Sequence, residues 1–181
     1  SRIKITKGAS SVLYGPGGNA AVIDIVTKGA ARGTHGSATA EWSPERGHSE
    51  RVSASHGSDT VRVFMSGSNL DQDSFDLSND FAPTAQQPGK ERLNSDRRDQ
   101  SLYANLLWSP TQAAQFGMSV DWRTGEYGKV PSTVSALDSI FAQRVRYERV
   151  EDYENLSVQA SALVRINRAL SVRPTAYYNT F

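Results

Sequence analysis

Cysteine is absent from the 181-residue sequence, which excludes disulfides, thiolate zinc sites and cysteine nucleophiles. No apolar run approaches the roughly 18 residues that a membrane-spanning helix needs, and no signal peptide is recognisable. An excess of one charge is also lacking, because 20 basic and 19 acidic residues leave a formal net charge of +1. This balance argues against a general nucleic-acid binder, so we expect no nucleic-acid partner.

Large apolar residues are scarce as well. Leu, Ile, Val and Phe together make up about 20% of the chain, which is near the level at which disorder becomes plausible. Disorder of that kind also needs a large net charge, so we expect a folded chain without a large apolar core. Because the sequence begins with Ser1 rather than Met, we expect an excised piece of a longer protein.

From Thr34 onward, apolar and polar residues alternate with a period of two, which is typical of strands with one buried face. The alternation predicts an all-β fold of about seven meandering antiparallel strands. We expect one face to carry Leu102, Leu106, Val120, Val158 and Val172, and the other Asn105, Ser119, Gln159 and Arg173. The predicted strands centre on residues 37–42, 51–55, 61–66, 101–108, 116–123, 155–164 and 170–178.

The connections between these strands differ strongly in length. Those at roughly Asp71–Arg98 and Thr124–Arg149 are long, and the others are short. Compact soluble domains rarely need two such loops, whereas outer-membrane barrels have short turns at one end and long loops at the other. We therefore expect both long loops at one end of the sheet, with the strands forming part of a transmembrane barrel.

A soluble β-sandwich is the alternative, because a strand packed on a core shows the same alternation. The barrel is favoured by the loop lengths and by an apolar stripe that is rich in Ala and Val. Aromatic residues near strand ends also favour it, since barrels carry aromatic girdles. These residues are Trp42, Trp108, Trp122 and Tyr178.

Two groups of charged residues are candidates for ligand binding. Asp71, Asp73 and Asp76 belong to an acidic segment whose oxygens could hold calcium, although the spacing is not that of an EF-hand. The alternative is a solvated loop with Asx turns. Arg97 and Arg98 precede a strand and could meet an anionic ligand or pair with nearby acids.

Catalytic motifs are not recognisable in the sequence. The glycine cluster Gly15–Gly18 is not followed by the Gly-Lys-Ser/Thr of a phosphate loop, and it more simply supplies turn conformations. His35, His48 and His56 have no carboxylate partner at a useful spacing. We therefore expect no enzyme activity, no resident metal and no cofactor.

Two short strands around a glycine-rich stretch make up the opening segment. It contains Arg2–Thr6 followed by Lys7-Gly8, then Ser11-Val12-Leu13-Tyr14-Gly15, Gly17 and a Val22–Val26 strand ending in Thr27-Lys28. In order and spacing, this run resembles the end of the plug domain of TonB-dependent outer-membrane receptors. Ala20-Ala21 replaces the usual Gly-Gly and Asp24 the usual Asn.

The resemblance extends less specifically to Ser78–Phe81 and Gly125–Lys129, which are similar to early extracellular loops of cobalamin and siderophore receptors. It implies the C-terminal end of a plug domain in residues 1–30 and the N-terminal strands of a barrel in residues 31–181. The family's barrel has about 22 strands, so the fragment would be open and unable to transport alone.

The same resemblance implies a receptor for active uptake in the outer membrane of a Gram-negative bacterium, with outer-membrane lipid around it. Its partners would be the TonB energy-transducing complex, reached through a TonB box outside this sequence, and a ferric siderophore as cargo. Cobalamin is the alternative cargo, with acidic loops that bind calcium. Outside the family, the alternatives are a passive porin-like or adhesin barrel and a soluble β-sandwich binding module.

Overall fold

The protein is an all-β chain in its computed structural model, which describes residues 2–7, 21–26, 30–43, 46–133 and 147–181. No helix occurs in these ranges. The strands are β1 (Arg2–Lys7), β2 (Ala21–Val26), β3 (Gly33–Ser43), β4 (Gly47–Gly57), β5 (Val61–Gln72), β6 (Arg97–Thr111), β7 (Ala114–Gly128), β8 (Arg149–Arg165), β9 (Ser171–Val172) and β10 (Thr175–Thr180). None of the described residues lies in a helix that could cross a membrane.

The first two strands form an antiparallel sheet of their own, with Arg2 opposite Val26 and Lys7 opposite Ala21. This confirms the two strands expected in the opening segment. The glycine-rich turn between them falls outside the described residues. The domain boundary between residues 30 and 31 stays a prediction.

The remaining eight strands form one antiparallel sheet in the order β10-β8-β7-β6-β5-β4-β3, with β9 also paired to β8. The meander is therefore confirmed, and the sheet is open, since β3 and β10 are its two edges. The predicted seventh strand is interrupted at Arg173 and Pro174, because proline has no N–H to donate to the ladder. Arg173, expected on the polar face of a strand, lies in this break.

Both long loops lie at the same end of the sheet, as the sequence predicts. Residues 73–96 connect β5 to β6 and residues 129–148 connect β7 to β8, and both connections follow strands that run in the same direction. The strands extend further into these connections than alternation indicated, so Asp71, Arg97, Arg98 and Gly125–Gly128 are strand residues rather than loop residues.

The strand register separates the sheet into two faces. One row across the sheet joins Met65, Ala104, Val120, Val158 and Tyr178. The adjacent row, on the opposite face, joins Phe64, Asn105, Ser119, Gln159 and Tyr177. The predicted division into an apolar face and a mostly polar face is confirmed, with Phe64, Tyr103 and Leu107 as apolar or aromatic residues on the polar face.

The apolar face is not covered by any other part of the described chain. Among the described hydrophobic residues, only Ala30 is buried, while Leu106 is 41% and Met118 48% exposed. A protein layer normally buries one face against a second layer, and contiguous exposed apolar surface of this extent marks an interaction site. Among the described residues, the apolar face of the sheet therefore has no packing partner.

The segment before β3 leans onto the polar face. Ala30 lines a cavity together with Tyr103, Asn105, Ser119 and Gln159, all from that face. At the end of β4, a Cβ on Gly57 would lie 2.1 Å from the carbonyl oxygen of Ala31. The bare backbone of Gly57 thus lets the incoming chain cross the sheet at close range.

We predict that Gly57→Ala displaces residues 30–32 from the polar face, because overpacking at a close contact costs about 1–3 kcal/mol. The measurement is the rate of trypsin cleavage after Arg32, which should rise in the variant. Gly67→Ala is the matched control, since its Cβ would lie 3.7 Å from the nearest atom, the carbonyl oxygen of Ser101. Equal cleavage rates in both variants would contradict the close contact.

Candidate functional site

At the end of the sheet that carries the two long loops, many polar groups are joined by hydrogen bonds. The first loop, residues 73–96, folds back on itself. The Leu77 N–H donates to the Lys90 carbonyl (2.8 Å) and the Arg92 N–H to the Phe75 carbonyl (2.8 Å). An isolated bridge between Asp76 and Glu91 lies between these bonds. The loop is therefore a small hairpin-like unit with its own hydrogen bonds.

Gln87 is the centre of this unit and is fully buried. Its Nε2 donates to the carbonyls of Gly89 (2.8 Å) and Glu91 (2.7 Å). Its Oε1 accepts from Arg92 Nη1 (2.9 Å) and from the Leu93 N–H (3.2 Å). The side-chain amide thus satisfies two donors and two acceptors of the loop, as burial of polar groups requires.

Arg92 carries the first contact between the two loops. Its side chain is largely buried, with the residue 8% exposed, and its Nη2 donates to the carbonyl of Pro131 in the second loop. Both acceptors, Gln87 Oε1 and the Pro131 carbonyl oxygen, are uncharged. Arginine suits such a place because its planar fork can donate in two directions at once.

Asn94 carries the second contact. Its backbone has a φ of 56°, a left-handed conformation that Asn tolerates better than most residues. Its Nδ2 donates to the carbonyls of Lys129 (2.8 Å) and Glu148 (2.7 Å), the two ends of the second loop. One carboxamide nitrogen therefore joins both ends of that loop to the first loop.

Asp96 and Arg149 carry the third contact. Arg149 Nη1 donates to Asp96 Oδ1 (2.8 Å) and Nη2 to Oδ2 (2.7 Å), a bidentate geometry. This hydrogen bonding, with a smaller charge contribution from Arg149, lowers the pKa of Asp96 even though partial burial acts to raise it. The charged form of Asp96 is thus favoured in the folded chain.

The candidate ligand residues Asp71 and Arg98 lie directly opposite each other on β5 and β6. Arg98 Nε donates to Asp71 (3.3 Å), and Arg98 Nη1 donates to Glu126 (3.1 Å). Arg97 pairs with Asp99 instead, and the Tyr153 hydroxyl also donates to Asp99. Both arginines therefore pair with acids, one of the two alternatives left open by the sequence. Whether either also contacts a ligand stays a prediction.

Asp73 and Asp76 are exposed. The backbone N–H of Asp73 donates a hydrogen bond to the Arg46 carbonyl (3.4 Å). In the ranges that the structure describes, no group of three or more His, Asp or Glu side chains is arranged to hold a metal ion. The three aspartates considered for calcium are thus not brought together. Asp71 is engaged by an arginine rather than by other carboxylates.

Sequence reasoning missed the residues that organise this end of the sheet: Gln87, Arg92, Asn94, Asp96 and Pro131. They lie in segments without periodicity, and the bonds that join the two loops connect residues 35 to 54 positions apart. The turn-forming Pro88-Gly89 pair was a weak local signal. Comparison with protein-family models, curated proteins and solved structures finds no match.

We predict that Asp96→Asn weakens the junction of the two loops by about 0.2–1 kcal/mol at neutral pH, the range of exposed ion pairs. The folded pKa of Asp96 lies below its unfolded value of 3.8, so the contribution is complete above that value. It is lost as pH falls through the folded pKa.

The measurement is the hydrogen-exchange protection factor of the Gly128 amide, which donates to the Asp96 carbonyl (3.1 Å). Wild type should be better protected than Asp96→Asn at pH 6, and the difference should shrink as pH falls through the folded pKa of Asp96. Asp80→Asn serves as the control, because Asp80 is an exposed residue of the same loop. A difference that stays constant with pH would contradict the assignment.

Proposed function

We propose that this chain is part of a TonB-dependent outer-membrane receptor, with residues 1–30 as the end of a plug domain and residues 31–181 as the first barrel strands. The single observation that carries the proposal is the apolar band on one face of the sheet, which no described part of the chain covers. In the proposed setting, outer-membrane lipid covers it.

The height of the apolar band supports this proposal. On β7 it extends from Ala114 to Trp122, and on β8 from Leu156 to Val164, which is about nine residues and close to the ~9–11 of a membrane-crossing strand. The next row toward the loops is polar, where Gln100 pairs with Thr124 and Thr124 with Glu154. The strands therefore continue beyond the band as polar ribbons.

Aromatic residues lie at both edges of the band. Toward the loops, Trp122 closes the band and its indole N–H donates to Glu154 Oε1 (2.7 Å) in the adjacent polar row. Toward the short turns, the rings of Trp108 and Phe116 are 5.4 Å apart. An indole with one apolar and one hydrogen-bonded side suits a membrane–water interface. Of the other expected edge aromatics, Tyr178 pairs with Val158, one row inside the loop edge of the band, and Trp42 lies beyond the band.

The path of the incoming chain is the second line of support. Residues 30–32 lie on the polar face, so the described residues directly before β3 reach the sheet from that side. In a plugged barrel, the plug occupies the polar interior. The resemblance of residues 1–28 to a plug end and the close contact at Gly57 thus point in the same direction.

The transport activity rests on the family resemblance alone. A receptor of this class takes up a large, scarce ligand, with energy delivered by the TonB complex. We propose a ferric siderophore as cargo and cobalamin as the alternative. Because the two long loops lie at one end of the sheet, that end faces the cell exterior in this proposal.

We predict that lipid contacts the apolar face and not the polar one. The chain has no native cysteine, so Leu106→Cys and Asn105→Cys each give a single labelling site on β6. With an environment-sensitive fluorophore, quenching by doxyl-labelled lipids should be strong at position 106 and weak at 105. A soluble sandwich would show no lipid quenching at either position, and equal quenching at both would also overturn the barrel.

We predict that the full-length protein supports TonB-dependent uptake. Cells producing it should accumulate one member of a panel of ferric hydroxamates, ferric catecholates and cyanocobalamin. Deleting TonB should abolish this accumulation without removing the protein from the outer membrane. Uptake that persists without TonB would indicate a passive barrel, and failure to reach the outer membrane would overturn the proposal as a whole.

A further inference from the structure

We propose that the first long loop clamps the two ends of the second, so that residues 129–133 and 147–148 move with the first loop as one rigid unit. The loop clamp consists of Arg92, Asn94 and Asp96 on the first loop and Gly128, Lys129, Pro131, Glu148 and Arg149 at the two ends of the second. Each of these residues is described by the structure.

The ends of the second loop already touch each other. The Lys129 N–H donates to the Glu148 carbonyl (2.9 Å), and the Lys129 ammonium lies 3.3 Å from the Glu148 carboxylate. The backbone carbonyls of Lys129 and Glu148 both accept a hydrogen bond from Asn94 Nδ2. Any movement that separates Lys129 from Glu148 must therefore break a bond to Asn94, which couples opening of the second loop to the first.

Backbone contact reinforces this coupling. A Cβ on Gly128 would lie 2.4 Å from the Asn94 carbonyl oxygen and 2.6 Å from Asn94 Oδ1. The Gly128 N–H donates to the Asp96 carbonyl (3.1 Å). The main chains of the two loops are thus in direct contact, and flexible side chains do not separate them.

The three contacts of the clamp join the last five residues of the first loop to both ends of the second. Residues 92, 94 and 96 each reach a different part of the second loop, and Arg149 also donates to Asn94 Oδ1 (3.3 Å). Contacts at several separated points restrain rotation as well as translation. The internal bonds of Gln87 hold Arg92 in place, so the first loop supplies a preformed support.

The consequence is that the loop end offers a preorganised surface. A ligand that binds there meets the first loop and the two ends of the second already fixed to each other, which lowers the entropic cost of ordering them. This inference does not rest on the proposed membrane function, because every contact in it is between loops and strand ends of this chain.

The test measures the distance between the loops by pulsed electron resonance. Ala85→Cys and Val130→Cys place spin labels on exposed positions of the first and second loop in a chain without native cysteine. We expect one narrow distance distribution in the otherwise wild-type protein. Asn94→Asp should broaden it, since the variant keeps the size and backbone tolerance of Asn but loses both donated bonds.

Gly128→Ala approaches the same contact from the other side and should also broaden the distribution. Gly89→Ala is the matched control within the first loop, because a Cβ there would meet nothing within 4 Å. Hydrogen exchange provides the second readout: the Gly128 and Lys129 amides should lose about tenfold in protection in both clamp variants, while central amides of β6 and β7 stay unchanged.

Unchanged distance distributions in Asn94→Asp and Gly128→Ala would overturn the proposal. So would a loss of protection spread evenly over β6 and β7, since it would show that the substitutions weaken the whole sheet rather than a local clamp. Broadening in Gly89→Ala equal to that in Gly128→Ala would overturn it as well, because that variant leaves the contact untouched.

Discussion

Burial of one apolar face is the requirement on which the rest of this structure depends. A single antiparallel sheet has two faces, and hydrogen bonds between strands satisfy the backbone but bury neither face. In this chain the apolar face from Ala114 to Trp122 and its neighbours has no partner layer among the described residues. Among the described residues, this face therefore contributes little of the hydrophobic stabilisation that a buried face supplies.

At the loop end, where the apolar band stops, polar pairing holds the chain together. Asp71, Arg98 and Glu126 form a row of opposite charges across three strands. Opposite charges on facing strands stabilise a sheet modestly, which lets β5, β6 and β7 continue beyond the apolar rows. Neutral hydrogen bonds continue the polar pairing in the loops, where Gln87 within the first loop and Asn94 in the loop clamp donate to backbone carbonyls.

The two faces of the sheet have different roles because the chain enters on one of them. Residues 30–32 cross the polar face at Gly57, and the ion pair between Arg32 and Asp59 (2.8 Å) fixes the crossing near the short turns. This leaves the apolar face free for an external partner. One polar and one apolar face are also what the proposed lipid-embedded barrel requires of its strands.

Alternation with a period of two predicted the strand meander and its two faces, and the lengths of the connections predicted the common end of the long loops. Both signals are local properties of the chain. The strands predicted from alternation are too short, because they omit Asp71, Arg98 and Gly125–Gly128. Charged strand ends lack the alternation that indicates a strand. Pro174 interrupts the last strand because proline has no N–H to donate. Alternation alone predicted one continuous strand there.

The organisation of the loop end depends on long-range tertiary contacts, which no sequence pattern predicted. Asn94 contacts Lys129 and Glu148, and Asp96 contacts Arg149, across 35 to 54 positions. These contacts use backbone carbonyls and single side chains, which leave no pattern in composition or periodicity. Their partners come within reach only after β6, β7 and β8 have paired in register, because that pairing brings the ends of both long loops to one place.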